Sequence, residues 1–106
     1  MCDVMNAIRY YGFVIKSFKD ADLKQFWETG KSRRIPANLR TVTGRKLAWL
    51  NAASSFEYLR VPPSNHFEAL KGYREGQYSI RINDQFRLCF EWRSTDAHDV
   101  EMVDYH

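Results

Sequence analysis

Apolar residues occupy every second position in two neighbouring segments of the chain, residues 78–82 and 86–92. Successive side chains of a β-strand point to opposite faces, so this period of two predicts two half-buried antiparallel strands. A two-residue loop between them would pair apolar with polar side chains. A three-residue loop, Asn83-Asp84-Gln85, pairs Ile82 with Phe86 and keeps the apolar faces together. We therefore expect the three-residue loop.

The same register places two arginines opposite each other on the polar face of this hairpin, Arg81 and Arg87. Like charges directly across two strands destabilise a sheet. Something has to offset them: water, an acid such as Glu68 or Glu91, or a bound phosphate.

The N-terminal part of the chain has the spacing of helices. Leu23, Phe26 and Trp27 form the apolar stripe of a first helix, which Asp20 caps and Gly30 ends. A second helix is predicted from Pro36 to about residue 54. Its apolar face consists of Leu39, Val42, Leu47, Leu50 and Ala53.

One charged residue, Lys46, falls inside that apolar face and must extend its amine to solvent unless the helix register is wrong. Residues 14–18 and 99–104 read as a first and a last strand, and residues 61–65 as an extended connector. Two N-terminal helices packed on a four- or five-stranded, mainly antiparallel sheet make an α+β domain.

Composition fits one globular domain of 106 residues, 44% of them hydrophobic. The two cysteines, Cys2 and Cys89, do not form a disulfide framework, which favours a reducing compartment. No apolar run approaches the roughly 18 residues of a membrane span. We therefore expect a cytoplasmic protein without a membrane partner.

Positive charge is concentrated in one half of the chain. Residues 14–60 contain ten Lys and Arg against four acids, whereas residues 61–106 contain five against eight. A basic half indicates a polyanionic partner, although a solvated basic surface explains the charge alone equally well.

The last three residues, Asp104-Tyr105-His106, provide a carboxylate, a phenol and an imidazole. RNA can be cleaved by its own 2′-hydroxyl, which needs a base, an acid and cations around the phosphate. Histidine titrates near neutrality, so His106 suits proton transfer. By composition alone this signal is weak, because a terminal histidine is more often a surface residue.

Four segments resemble the HigB toxins of the RelE/ParE toxin superfamily: residues 14–18, 70–76, 79–88 and 104–106. The resemblance spans residues 14–106 and implies a RelE-like fold. It also implies a toxin of a type II toxin–antitoxin pair, which enters the ribosomal A site and cleaves mRNA without a cofactor or metal ion. The implied partners are the ribosome, mRNA and a HigA-type helix-turn-helix antitoxin, with operator DNA contacted only through the antitoxin complex.

The resemblance also implies roles for individual residues. Arg87 stabilises the phosphate, and Arg74 binds phosphate or holds its turn. A catalytic group is formed by Asp104, Tyr105 and His106. The cations that contact RNA are Lys71 and Arg81 near the centre of the chain, and Lys31, Arg33 and Arg34 in a basic loop.

The chain departs from the family pattern at two places. Some members carry a histidine at the position of Glu68, and the nearest histidine here is His66. This leaves the proton-transfer groups open, with His106 as one and Glu68 or Asp104 as the other. Family members typically begin at the position of Val14. Residues 1–13 therefore either precede a true translation start at Val14 or form a native extension, and we favour the first.

Three functions fit these observations. The first is an endoribonuclease that depends on the ribosome. The second is a ParE-like inhibitor of DNA gyrase, which has the same fold and cleaves no RNA. The third is a passive RNA-binding module. Fold cannot separate them, but a pure binder does not require Arg87 together with the terminal Asp104-Tyr105-His106, so we favour the enzyme.

Overall fold

The computed structural model of the chain describes residues 14–53, 55–61 and 63–104. The proposed N-terminal extension, residues 1–13, lies outside these ranges. Four strands form one antiparallel sheet in the order β1-β2-β3-β4. They are β1 (Glu68–Ala69), β2 (Gln77–Arg81), β3 (Phe86–Arg93) and β4 (Asp96–Asp104).

Three α-helices precede the sheet within the described ranges: α1 (Ala21–Thr29), α2 (Arg40–Asn51) and the short α3 (Phe56–Arg60). The first helix has the predicted caps. The Asp20 side chain accepts hydrogen bonds from the backbone N–H of Asp22 and Leu23 at 3.0 and 3.2 Å. Gly30 ends the helix with a left-handed φ of 80°. The α+β fold class predicted from the sequence is confirmed.

The second helix is shorter than predicted. The backbone of Pro36 is extended, with ψ 141°, so the helix cannot begin there. A 3₁₀ turn, Ala37–Leu39, comes first, and the α-helix then runs from Arg40 to Asn51. Tight 3₁₀ turns are common at helix ends, and sequence periodicity does not distinguish them from an α-helix.

The predicted extended connector at residues 61–65 is wrong over Pro63–Asn65, which form a 3₁₀ turn. The buried Asn65 explains the turn. Its side-chain amide donates to the Leu59 carbonyl at 3.0 Å, and its Oδ1 accepts from Lys46 Nζ at 2.6 Å. These bonds hold the turn against α2 and α3.

The central hairpin has the predicted register. Ile80 pairs with Leu88 and Arg81 with Arg87, and the Ile82 N–H donates to the Phe86 carbonyl at 2.9 Å. The Asn83 side chain closes the loop by accepting from the backbone N–H of Gln85 and Phe86 at 2.9 and 2.7 Å. An Asn side chain that bonds to the following backbone is a common turn device.

Residues 14–18 lie parallel to β4 and extend the sheet irregularly. Isolated bridges join Ile15 to Ala97 and Phe18 to Val100, so this segment is not a regular strand. The buried Asn51 at the end of α2 holds its start, because Oδ1 accepts from the backbone N–H of Val14 and Ile15, both at 3.0 Å. The last strand is longer than predicted, since it begins at Asp96.

The core lies between the helices and one face of the sheet. Fully burying one leucine or isoleucine contributes about 1.5–3 kcal/mol. The predicted apolar positions of the helices and the hairpin supply most of this core, including Leu23, Phe26, Leu47, Leu50, Ile80, Leu88 and Phe90. Within the described ranges, no helix is long and apolar enough to cross a membrane.

Replacing Asn51 with alanine should lower the free energy of unfolding by about 2 kcal/mol, because two backbone N–H groups lose their acceptor in a largely buried setting. Chemical denaturation measures the change. Gln25→Ala, at an exposed position of α1, is the control and should change stability by less than about 0.5 kcal/mol. Equal losses in the two variants would show that the Asn51 bonds contribute nothing specific.

Candidate active site

Arg87 is held rigidly on the polar face of the sheet, where its residue is 9% exposed. Its Nε donates to Ser79 Oγ at 2.8 Å, and its Nη2 donates to the backbone carbonyl of His66. His66 has a φ of 44°, an uncommon left-handed conformation. Neutral acceptors therefore fix much of the guanidinium, as a preorganised phosphate-binding group requires.

Acids lie beside both opposed arginines, which is one of the three alternatives that the sequence left open. Glu68 of β1 places Oε1 3.6 Å from Arg87 Nη2, and its side chain is 55% exposed. Asp84, in the hairpin loop, pairs with Arg81. Glu91, the other acid considered, pairs with a different arginine. Glu68 is thus an exposed carboxylate next to a buried guanidinium, which is an arrangement suited to proton transfer beside a bound phosphate.

Arg74 is bound to other residues of the sheet. Its Nη1 donates to Glu101 Oε2 at 3.1 Å and to Gln77 Oε1 at 2.9 Å. The bond to Glu101 raises the pKa of Arg74 above its ordinary value. Of the two roles considered for Arg74, these contacts support holding the turn, because they tie the 3₁₀ turn Gly72–Arg74 to β4.

The other predicted cations are exposed at the surface. Lys71 immediately precedes the Gly72–Arg74 turn. Lys31, Arg33 and Arg34 lie in the connection between α1 and α2, with Arg34 Nη1 3.8 Å from Asp22 Oδ2. The basic loop therefore lies on different elements from Arg87.

The end of β4 runs beside the strand that carries Arg87. Asp104 pairs with Phe86, the neighbour of Arg87, and its Oδ2 accepts from Gln85 Nε2 at 3.1 Å. Paired residues share a face and successive residues alternate, so the Asp104 side chain leaves the sheet on the face opposite Arg87. Tyr105 and His106 lie outside the described residues, and their place in the site stays a prediction.

Sequence reasoning missed two residues that hold Arg87, namely Ser79 and His66. Ser79 could have been found, because the predicted register places it on the polar face, diagonally across from Arg87. The contribution of His66 is a backbone carbonyl in a left-handed turn. No side-chain pattern signals such a contact.

Lys46 is buried, which the sequence did not predict. The residue is 7% exposed, and Nζ donates to Asn65 Oδ1 at 2.6 Å and to Ser64 Oγ at 3.5 Å. The expectation that Lys46 extends to solvent is therefore wrong, although the helix register is right. Burial lowers the pKa of Lys46 from its ordinary value, and the neighbouring charges of Arg45 and Arg81 lower it further.

The fold occurs in a solved structure, that of the YoeB dimer from Staphylococcus aureus. One chain of it matches with a TM-score of 0.53 and covers 90% of this chain and 98% of its own, at 20% identity. At that identity the match supports the fold alone.

Sequence comparisons give the family. The family described as the RelE-like toxin of the type II toxin-antitoxin system HigB matches residues 16–106. Toxin HigB-1 of Vibrio cholerae is 47% identical over 76 residues, which cover 71% of this chain and 80% of the relative. Endoribonuclease HigB of Proteus vulgaris is 34% identical over 94 residues, which cover 88% and 100%. The chain belongs to the HigB family of RelE-like toxins of type II toxin–antitoxin systems.

Membership in this family confirms the predicted toxin class and an antitoxin as a partner. One of the matching relatives is named an endoribonuclease, which supports the RNA-cleaving prediction over the ParE-like alternative.

The lowered pKa of Lys46 predicts how stability depends on pH. Between the folded pKa of Lys46 and 10.5, the unfolded chain binds more protons at this amine than the folded chain. The free energy of unfolding should therefore rise with pH across this window, relative to a Lys46→Met variant without the amine. Denaturant unfolding from near neutrality to pH 10.5 measures the slope. Lys24→Met, at an exposed lysine, is the control, and identical pH slopes in all the proteins would contradict the prediction.

Proposed function

We propose that this protein is a ribosome-dependent endoribonuclease that cleaves mRNA in the ribosomal A site by attack of the RNA's own 2′-hydroxyl, and that residues 14–106 form the functional unit. The observation that carries the proposal is the Arg87 guanidinium, fixed by Ser79 and His66 beside the exposed Glu68 carboxylate. Family membership and the name of the Proteus vulgaris relative support the same activity.

The proposed reaction transfers a phosphoryl group within the RNA. The 2′-oxygen forms a bond to phosphorus, and the bond from phosphorus to the 5′-oxygen of the next nucleotide breaks. A base takes the proton of the 2′-hydroxyl, and an acid protonates the departing 5′-oxygen. The products are a 2′,3′-cyclic phosphate and a 5′-hydroxyl, and the protein's own groups supply both proton transfers.

Arg87 would stabilise the negative charge that develops on the phosphate oxygens. Such donors are effective when they are already oriented before the reaction. Arg87 meets this condition because three neighbours constrain its guanidinium, namely Ser79, His66 and Glu68. A bound phosphate would replace part of the weak interaction between Arg87 Nη2 and Glu68 Oε1, which are 3.6 Å apart.

Glu68 is the better candidate for the second proton-transfer group. Its carboxylate lies next to Arg87, whereas the strand register directs the Asp104 side chain to the other face. His106 is proposed as the first proton-transfer group, with Tyr105 beside the reacting nucleotide.

The distribution of cations supports the RNA contacts, and family membership supports the antitoxin. Lys71 and Arg81 would contact the mRNA near the reacting phosphate, and Lys31, Arg33 and Arg34 would dock on ribosomal RNA. A HigA-type helix-turn-helix antitoxin would neutralise the toxin and bring the complex to operator DNA.

Changing Arg87 to alanine or deleting His106 should reduce mRNA cleavage on programmed ribosomes by about 100-fold or more, a typical loss when a transition-state donor is removed. Arg87→Lys should rescue little, because lysine lacks the planar fork of donors. Primer extension measures cleavage, and thermal unfolding checks the fold. Arg93→Ala, at the exposed end of β3, is the control and should cleave normally. Full cleavage by folded Arg87→Ala would overturn the mechanism.

Glu68→Gln and Asp104→Asn separate the two carboxylate assignments. If Glu68 transfers a proton, Glu68→Gln should lower the cleavage rate at saturating toxin by about 100-fold and remove one limb of its pH profile. Asp104→Asn should keep both limbs. Single-turnover cleavage across a pH series measures the two profiles. The reverse result would assign the proton transfer to Asp104.

A further inference from the structure

A cleft of about 130 Å³ lies beside α2 and contains no residue assigned to the reaction above. Its lining combines cationic groups, a hydroxyl, an amide and an indole, from Arg45, Lys46, Ser64, Asn65 and Trp49. Cations with hydroxyl and amide groups are the usual ligands of a phosphate group.

The positive charge in this cleft is not neutralised by the residues that the structure describes. Lys46 Nζ has only neutral acceptors, Asn65 Oδ1 and Ser64 Oγ. Arg45 is exposed, and no carboxylate of the described ranges pairs with Arg45 or Lys46. A buried ammonium without a counter-ion is costly. A bound anion would relieve that cost and occupy the third donor of the amine.

The cleft and the candidate active site share one short segment of the chain, Asn65-His66. Asn65 accepts from Lys46, and the next residue, His66, accepts from Arg87 through its carbonyl. Lys46 and Arg87 are therefore hydrogen-bonded to two consecutive residues of the chain. Arg81 connects them a second time, because it pairs with Arg87 in the sheet and its charge also acts on Lys46.

The indole in the lining is already engaged. Trp49 stacks on Tyr58 with ring centroids 4.9 Å apart, and its Nε1 donates to the Tyr58 carbonyl at 3.2 Å. Trp49 thus forms a fixed wall of the cleft. Most of the accessible lining is apolar, and the polar groups left to meet a ligand are cations and a hydroxyl, which recognise phosphate oxygens and carry no information about base identity.

We propose that this cleft binds a second phosphodiester of the RNA strand, apart from the one held by Arg87. The proposal rests on the proposed function for the identity of the strand. Lys46 and Arg45 would provide the charge, and Ser64 Oγ a further hydrogen bond. Two cationic sites along one strand would fix its direction across the sheet, whereas Arg87 alone would fix a single point.

The test uses the full chain and a fluorescent 2′-O-methyl RNA hexamer of random sequence, which lacks the attacking hydroxyl. Arg45→Gln and Lys46→Gln should each raise its dissociation constant about three- to tenfold at moderate salt. The slope of log affinity against log salt should fall by about 0.7, the loss of one phosphate contact on a single strand. The matched control is Lys24→Gln, at an exposed lysine of α1, which should bind as the wild type does.

Two features keep this test decisive. Arg45 is exposed, so Arg45→Gln should fold even if Lys46→Gln does not. In the wild type, saturation with the hexamer should also raise the pKa of the Lys46 amine, which NMR of the labelled side chain measures. The proposal is overturned if folded Arg45→Gln keeps the affinity and salt slope of the wild type.

The outcomes also separate this proposal from the proposed function. Hexamer binding is measured without ribosomes or cleavage. If the wild type cleaves no mRNA on ribosomes but its hexamer affinity still depends on Arg45 and on salt as expected, the nuclease proposal is overturned and the cleft proposal stands. If the wild type cleaves mRNA on ribosomes but Arg45→Gln binds the hexamer as the wild type does, the cleft proposal is overturned and the nuclease proposal stands. If Arg45→Gln weakens only the complex with the antitoxin, the cleft is a protein contact and the phosphodiester proposal fails.

Discussion

The guanidinium of Arg87 is the group on which the geometry of the site depends. A charge taken out of water needs hydrogen-bond partners of suitable geometry, and here they come from separate parts of the chain: Ser79 on β2, the His66 carbonyl before β1, and Glu68 on β1. The cation is therefore in place only when β1, β2 and β3 are correctly assembled. Folding and the proposed stabilisation of a phosphate are thus linked through one side chain.

The turn Pro63–Asn65 serves both the fold and the site. Asn65 holds the turn against α2 and α3 through Lys46 and Leu59, and this positions the backbone of His66 toward Arg87. A buried lysine on a helix and a buried arginine on a strand are in this way connected through two consecutive residues. Preorganisation of the site is therefore a property of the packing between helix and sheet as well as of the hairpin.

The sequence predicted the parts of the fold that repeat with a fixed period or follow local turn chemistry. The hairpin register, the opposed Arg81 and Arg87, and the caps of α1 are of this kind. It did not predict the 3₁₀ turn at Pro63–Asn65 or the burial of Lys46. Both depend on contacts between residues far apart along the chain, such as Lys46 with Asn65, which no local pattern encodes.

The candidate site, like the fold, could be predicted from the sequence only in part. Arg87 and Glu68 lie together as the polar face of the hairpin indicated, whereas the register separates Asp104 from them. The holding role of Arg74 also required coordinates, since it depends on Glu101 of another strand. Side-chain identity thus indicated the candidate residues, and tertiary packing decided which of them lie together.

The sheet also has protected borders. Residues 14–18 lie along the outer side of β4 and bond to its backbone, and the strand at the other border, β1, has only two residues. A long border of unpaired backbone groups invites further strands from other molecules and leads to aggregation. In the part of the chain that the structure describes, residues 14–18 and the short β1 cover part of each border and so limit the length of strand that can be added there.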